Sequence, residues 1–277
     1  MTSQPVTQVG DRYVLPTGQD DRSRLDLIHS VYGRISLAGL EAAKLGDAAR
    51  AADIGCGTGT ISRWMAQRIG ASGRVDAIDI APEQIDVAKS VPAMPGASAI
   101  HYKVGSAYEP ELPESAFDIV FCRLVLCHLK EPDKAVAQMA KLLRKGGRLV
   151  LVDMDLRDTF TMPPCEFYRA YIDEVVLPYQ TKIGVDYSVG LKIHELMSDV
   201  GLTTESISVD QPIFRDGPEK HLWEKTWTVA LQRAAQAGIV TLERGQEMIA
   251  GMEKHTANPD VWVAVAKMLA AVGRKPS

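Results

Sequence analysis

Ala51-Ala52-Asp53-Ile54-Gly55-Cys56-Gly57-Thr58-Gly59-Thr60 is the stretch that decides the fold: a short apolar run, an acid, and glycines at alternate positions. The apolar run has the length of a buried strand, and a helical pattern begins near Thr60. Glycine lacks a Cβ, so Gly55, Gly57 and Gly59 can turn with positive φ and let a flat ligand lie against the main chain. Taken alone, such a loop also fits an ordinary strand-to-helix turn.

Its surroundings narrow the reading. Arg74-Val75-Asp76-Ala77-Ile78-Asp79-Ile80 is a second buried strand ending in an acid, and Pro82 stands near the first position of the helix that follows. An acid at the end of that strand can accept both hydroxyls of a ribose. Glycines for a backbone-hugging group and Asp79 for a sugar describe a site for a nucleoside-containing cofactor at the carboxyl ends of parallel strands.

Further strands are read at about 98–103, 117–122 and 147–153, joining those at 50–54 and 74–79. Helices fall near 60–69, 82–90 and 132–144, so strand and helix alternate as in a doubly wound sheet. Residues 20–45 carry an imperfect helical stripe through Leu25, Ile28, Val31, Tyr32 and Ile35. After Pro163-Pro164 the alternation breaks, and Phe167, Tyr168, Tyr171, Val175, Val176 and Tyr179 mark an amphipathic helix. One strand is expected near 204–214, then a helix with Trp223 and Trp227, another over 241–254, and a last segment over 261–272 that periodicity leaves open between helix and strand.

With 277 residues, 46% hydrophobic and 24% charged, the composition is that of an ordinary soluble protein with room for one large α/β domain. The net charge of −4 leaves no electrostatic footprint for nucleic acid, and no apolar run approaches a membrane span. The four cysteines form no CxxC pair and no zinc spacing, so no metal site is expected and the thiols read as reduced, in a cytoplasmic protein.

The ordered segments 53–59, Asp79, 117–129 and 142–152 resemble the motifs of class I S-adenosylmethionine-dependent methyltransferases, nearest to the small-molecule branch of ubiquinone and menaquinone biosynthesis. The resemblance implies an α/β fold: a doubly wound, seven-stranded, mostly parallel sheet with an antiparallel last strand at 261–272, a helical N-terminal lid, and a helical insertion after strand five. It divides the chain into an arm and lid over 1–45 and a cofactor-binding domain over 46–277, with a substrate cap at about 156–189. S-adenosylmethionine is the implied cofactor. Asp53, Gly55, Cys56, Gly57 and Gly59 would hold it from the glycine loop, Asp79 and Ile80 from the second strand. Gly105, Ser106 and Ala107 follow the third strand, with Ser106 where an acid is commonest; Glu109 or Glu111 could substitute. Arg123 falls where the main chain passes the methionine part, and Tyr13 is the arm's candidate for facing the sulfonium or the substrate. His128 is the candidate catalytic residue: a general base for a phenol, thiol or carboxyl, or a side chain that fixes its loop. Asp153 and Asp155 stand at the start of the substrate loop, where they could orient a hydroxyl or simply be solvated.

The expected activity is methyl transfer to a small, apolar or aromatic acceptor, and a second copy of the chain is a further expected partner. Two alternatives stand beside it: a cofactor-binding protein without transfer activity, and a nicotinamide-dependent oxidoreductase, whose Gly-x-Gly-x-x-Gly spacing this loop misses by one residue.

Overall fold

The computed structural model describes residues 22–47 and 49–277. Tyr13 lies outside them. Ala51, Ala52 and Ile54 of β1 (Arg50–Ile54) are wholly buried because β1 pairs on both sides, in parallel, with β2 (Arg74–Asp79) and β4 (Phe117–Arg123). A strand covered on every side reads as a continuous small or apolar run, which is what the sequence shows. Beyond β2 lies β3 (Ala99–Val104), and beyond β4 lies β5 (Leu143–Asp155), both also parallel.

Two later strands complete a seven-stranded sheet of order β3-β2-β1-β4-β5-β10-β7. β10 (Lys267–Arg274) runs antiparallel to both β5 and β7 (Thr203–Asp210). The segment read as one strand over 204–214 is in fact two: β7 stops at Asp210, and β8 (Ile213–Phe214) belongs to a different sheet. Pro212 lies between them; it has no N–H for a ladder, and its carbonyl instead accepts from the Val265 N–H. Residues 261–272 divide likewise, into β9 (Trp262–Ala264) and β10. β9 pairs with β8 and with β6 (Phe160–Met162) in a small antiparallel sheet.

Crossover helices α2 (Thr60–Ile69) and α3 (Pro82–Ser90) cover β1 to β3, while α4 (Pro132–Leu142) and α7 (Ile193–Asp199) pack on each other and on strands of the other half. The long α1 (Arg22–Ala42) buries Leu27, Val31, Tyr32, Ile35 and Leu40 and lies across β5, β7 and β10. The chain after β2 goes one way in the sheet and the chain after β4 goes the other. The crevice between β1 and β4 is therefore the topological switch point, where ligands of such sheets bind.

Over that crevice stands a helical cap. Part of it is the expected insertion: α5 (Glu166–Tyr171), one π-turn over 172–176, and α6 (Leu177–Ile183) run as one continuous helix. The rest comes from between β8 and β9: α8 (Leu222–Gln236) and α9 (Leu242–Thr256), which the sequence shows as helices but does not connect to a site. Side chains at Gly245 and Gly251 would collide with Leu231 of α8 and Phe167 of α5, so glycine is what lets α9 lie against both. Buried Glu224 fastens the three helices: it accepts from Thr256 Oγ1 (2.6 Å) and Tyr168 OH (3.3 Å), and its second oxygen meets His221 Nδ1 (2.8 Å). A buried carboxylate is tolerable only with such a set of partners.

Candidate functional site

The loops that leave β1 and β4 come very close at the switch point. Gly55, Gly57 and Gly59 all have φ between 52° and 76°. At Gly55 an added Cβ would stand 2.2 Å from Val125 Cγ2 of the β4 loop, and at Gly59 it would stand 2.4 Å from the Tyr102 hydroxyl. At Gly57 it would meet nothing within 4 Å, so bare backbone faces open space there. Two glycines permit packing, and the third leaves room for a ligand.

Asp79 ties this loop to β2. Its Oδ2 accepts from the Gly57 N–H (2.8 Å) and its Oδ1 from the Ala81 N–H (2.9 Å), and burial raises its pKa. Each oxygen keeps lone-pair capacity for a further donor. Nearby, the buried side chain of Gln84, on the first turn of α3, presents an Oε1 with no hydrogen-bond partner among the described residues. Sequence reasoning misses Gln84; its place in the first turn after an acid-ended strand is the available signal.

A cavity of about 280 Å³ runs from this cradle into the cap. Of the residues expected in the site, Gly55, Cys56, Gly57, Asp79, Ile80, Gly105, Ser106, Ala107, Arg123 and His128 line it. Asp53 and Gly59 do not. Asp53 lies buried behind the loop, where its Oδ2 accepts from Ser62 Oγ of α2 (2.5 Å), and desolvation pushes its pKa up to about 6. It holds α2 to the end of β1.

Ser106 keeps its Oγ near the Tyr108 N–H (3.2 Å), and no acid of its loop replaces it: Glu111 pairs with Lys103 at the surface, and neither Glu109 nor Glu111 lines the cavity. Asp153 and Asp155 are not solvated and lie outside the cavity lining. Asp153 accepts from the N–H groups of Met154 (2.9 Å) and Cys127 (3.3 Å), which pins the β4 loop. Asp155 pairs with Arg157 (3.0 Å) and Lys267 (3.5 Å). A strand that is central in its sheet buries even its terminal residues, and that context overrides the polarity of two aspartates.

Arg123 and His128 leave β4 on the cavity side. Arg123 Nη1 donates to Ser36 Oγ of α1 (3.4 Å); burial lowers the guanidinium pKa to about 10, an effect the negative charge of Asp53 partly offsets. His128 stands edge-on to Tyr187, ring centroids 6.0 Å apart. Burial, with the positive charge of Arg24 behind it, lowers its pKa to about 4, so the imidazole is neutral at pH 7. His29 of α1 is held down in the same manner by burial and by Arg123.

Beyond His128 the walls turn aromatic. Tyr171 stacks on Trp227 (centroids 4.7 Å, planes 13° apart), and Trp223 stacks on Trp227 in turn (5.7 Å). Leu25 and Ile28 of α1 close the near side. Among the described residues no group of three His, Cys, Asp or Glu is arranged to hold a metal ion, and no helix is long and apolar enough to cross a membrane.

Residues 52–151 match the family described as a methyltransferase domain. The ubiquinone biosynthesis O-methyltransferase of Xanthomonas euvesicatoria is 32% identical over 166 residues, which is 58% of this chain and 65% of that protein. The chain spans 54% to 65% of the length of the curated ubiquinone O-methyltransferases it matches. Among solved structures, the YcgJ protein of Bacillus subtilis superposes with a TM-score of 0.58 at 19% identity, covering 90% of this chain and 99% of that one. A phosphoethanolamine N-methyltransferase of Haemonchus contortus, solved with S-adenosylmethionine, has a TM-score of 0.54 at 17% identity, covering 94% and 59%. These two likenesses speak for the fold.

Proposed function

We propose, from the match of residues 52–151 to the methyltransferase-domain family, that the chain transfers a methyl group from S-adenosylmethionine to a small aromatic or apolar acceptor. The observation that carries this reading is the continuous cavity that joins the glycine cradle to an aromatic chamber. A cofactor cradle that continues into a mainly apolar second compartment suits a group transfer from which water is kept out.

The residues present fit the cofactor. Gly57 offers open backbone, Asp79 keeps acceptor capacity for ribose hydroxyls, and the Oε1 of Gln84 together with Ser106 offers acceptors to an amino group. Arg123 is the cation we assign to the methionine carboxylate. When bound, S-adenosylmethionine supplies an electrophilic methyl on a sulfonium centre.

This chain's own part is alignment. The cap walls hold an acceptor flat, and the loop after β4 aims it back at the cradle. His128 is assigned as a neutral hydrogen-bond acceptor for the nucleophile's proton. With a pKa near 4 it is too weak a base to take a proton from an unactivated phenol of pKa about 10 and keep it. It positions that hydroxyl and fixes the loop.

The test is to incubate the chain with methyl-labelled S-adenosylmethionine and a panel of hydroxyarenes, thiols and amines. Label is expected in an aromatic acceptor, with S-adenosylhomocysteine released in equal amount. Cofactor binding without turnover of any panel member would favour the non-transferring alternative instead.

A further inference from the structure

Along α8 the residues Trp223, Thr226, Trp227, Ala230 and Ala234 line the cavity at intervals of three and four, so one face of the helix is given to the chamber. Broad rings stand at the start of that face and small side chains at its end. Trp223 is only 6% exposed, and its indole Nε1 has no hydrogen-bond partner among the described residues. A buried indole N–H ordinarily finds an acceptor. Here the ring is held in place, stacked on Trp227 with planes 27° apart, while Trp227 is itself stacked on Tyr171. The direction of the N–H is therefore fixed by packing, and turning the ring toward another partner would break the stack.

Two hydroxyls of the same wall are engaged with the backbone of α8. Tyr171 OH donates to the Trp227 carbonyl (3.1 Å) and Thr226 Oγ1 to the Leu222 carbonyl (2.8 Å). An indole N–H shut in without an acceptor is costly, and a ligand that brings an oxygen removes that cost. A carbonyl oxygen suits the place best. It accepts without adding a proton of its own, whereas a hydroxyl would bring a donor that needs a further acceptor in a mainly apolar wall. Conjugation keeps such an oxygen in the plane of an aromatic ring, and the stacked rings, with Leu25 and Ile28 of α1 on the near side, suit a flat body.

Resting on the methyl-transfer reading, we infer that the acceptor is a hydroxyarene with a neutral carbonyl conjugated to its ring, and that Trp223 Nε1 donates to that carbonyl oxygen. The hydroxyl that receives the methyl group lies at the other end of the molecule, toward His128 and the cradle. Trp223 is thus a specificity-determining residue: no bond is made or broken there, and its N–H separates an aromatic ketone from the corresponding alkyl compound. A site built to hydrogen-bond a substrate group rejects the analogue that lacks it, because its own buried polar atom is then left unpaired.

The experiment is calorimetric titration of the full chain, saturated with S-adenosylhomocysteine, with 6-acetyl-2-naphthol and separately with 6-ethyl-2-naphthol, which replaces the carbonyl by a methylene. The ketone is expected to bind about fivefold more tightly. Trp223→Phe, which keeps an aromatic ring and removes the donor, should erase that preference while leaving the affinities for the ethyl compound and for S-adenosylhomocysteine unchanged. Tyr171→Phe, which removes a hydroxyl already engaged with the Trp227 carbonyl, should retain the preference. Equal binding of the two probes, binding of neither, or a preference that survives Trp223→Phe would overturn the inference, as would its loss in Tyr171→Phe alone. Failure of S-adenosylhomocysteine to bind would instead sink the methyl-transfer reading, and the ketone-against-alkyl comparison would still be read on the chain alone.

Discussion

The two ends of the cavity are built by opposite means. At the cradle the walls come from short stretches that follow strand ends, residues 55–58, 79–80 and 105–107, joined by Thr60 and Gln84 from the first turns of α2 and α3, with the bare backbone of Gly57 facing open space. In the chamber the walls are side chains, drawn from α1, the β4 loop, the helical run 166–183 and α8. A backbone cradle needs glycine at fixed neighbouring positions, so it tolerates little change and is written in consecutive residues. A side-chain chamber needs only bulk and a few polar groups from distant segments, so the same sheet can carry different chambers.

That contrast can be broken most sharply at Gly55. Gly55→Ala puts a Cβ into Val125 and an L-residue at φ 75°. The expected loss is on the order of 3 kcal/mol, shared between stability and cofactor affinity, from left-handed strain and overpacking together. Denaturant unfolding and titration with S-adenosylhomocysteine measure the two shares. Wild-type behaviour in both would mean that the β1 and β4 loops do not need their close approach.

A smaller effect is expected at Asp79. Asp79→Ala removes an acceptor from the Gly57 and Ala81 N–H groups as well as from the ligand, and should weaken cofactor binding by roughly 1–3 kcal/mol. Asp79→Asn keeps one acceptor and should lose less. Neither change should alter the tryptophan fluorescence of the stacked Trp223 and Trp227 if the two ends act separately. A shifted emission would show them coupled.

The smallest effect lies behind the cradle. Asp53 keeps its proton in the folded chain up to a pH of about 6, against an ordinary value of 3.8. Between those values the folded state binds more protons than the unfolded one, so this group's contribution to stability is full below pH ~4 and is lost as pH rises through ~6. Asp53→Asn should remove that slope. Between pH 4 and 7 the wild type should lose ~2 kcal/mol relative to the variant, measured by chemical denaturation at each pH. Parallel stability curves would mean that Asp53 is better solvated than its burial implies.

The same contrast separates what the order of residues discloses from what only packing decides. Gly55, Gly57 and Asp79 are legible because a glycine loop and an acid after the next strand are local patterns, and the alternation of strand and helix points to a doubly wound sheet. Asp53 and Asp155 mislead because polarity at a strand end says nothing about whether neighbouring strands enclose it. The division of 204–214 turns on one proline, whose effect depends on which strand its partner joins. Trp223, Trp227 and Arg24 are visible as residues of helices, but nothing in their spacing says that α1 and α8 meet over the β4 loop. Long-range packing decides that, and a single chain of letters does not record it.

The claim at the centre is that the glycine cradle holds S-adenosylmethionine. Parallel calorimetric titrations of the full chain with S-adenosylmethionine, S-adenosylhomocysteine and NAD test it most directly. Micromolar binding of the first two with no response to NAD is the predicted result. Tight NAD binding with no response to either sulfur compound would contradict the account, and the roles given to Gly57, Asp79, Gln84 and Arg123 would fall with it.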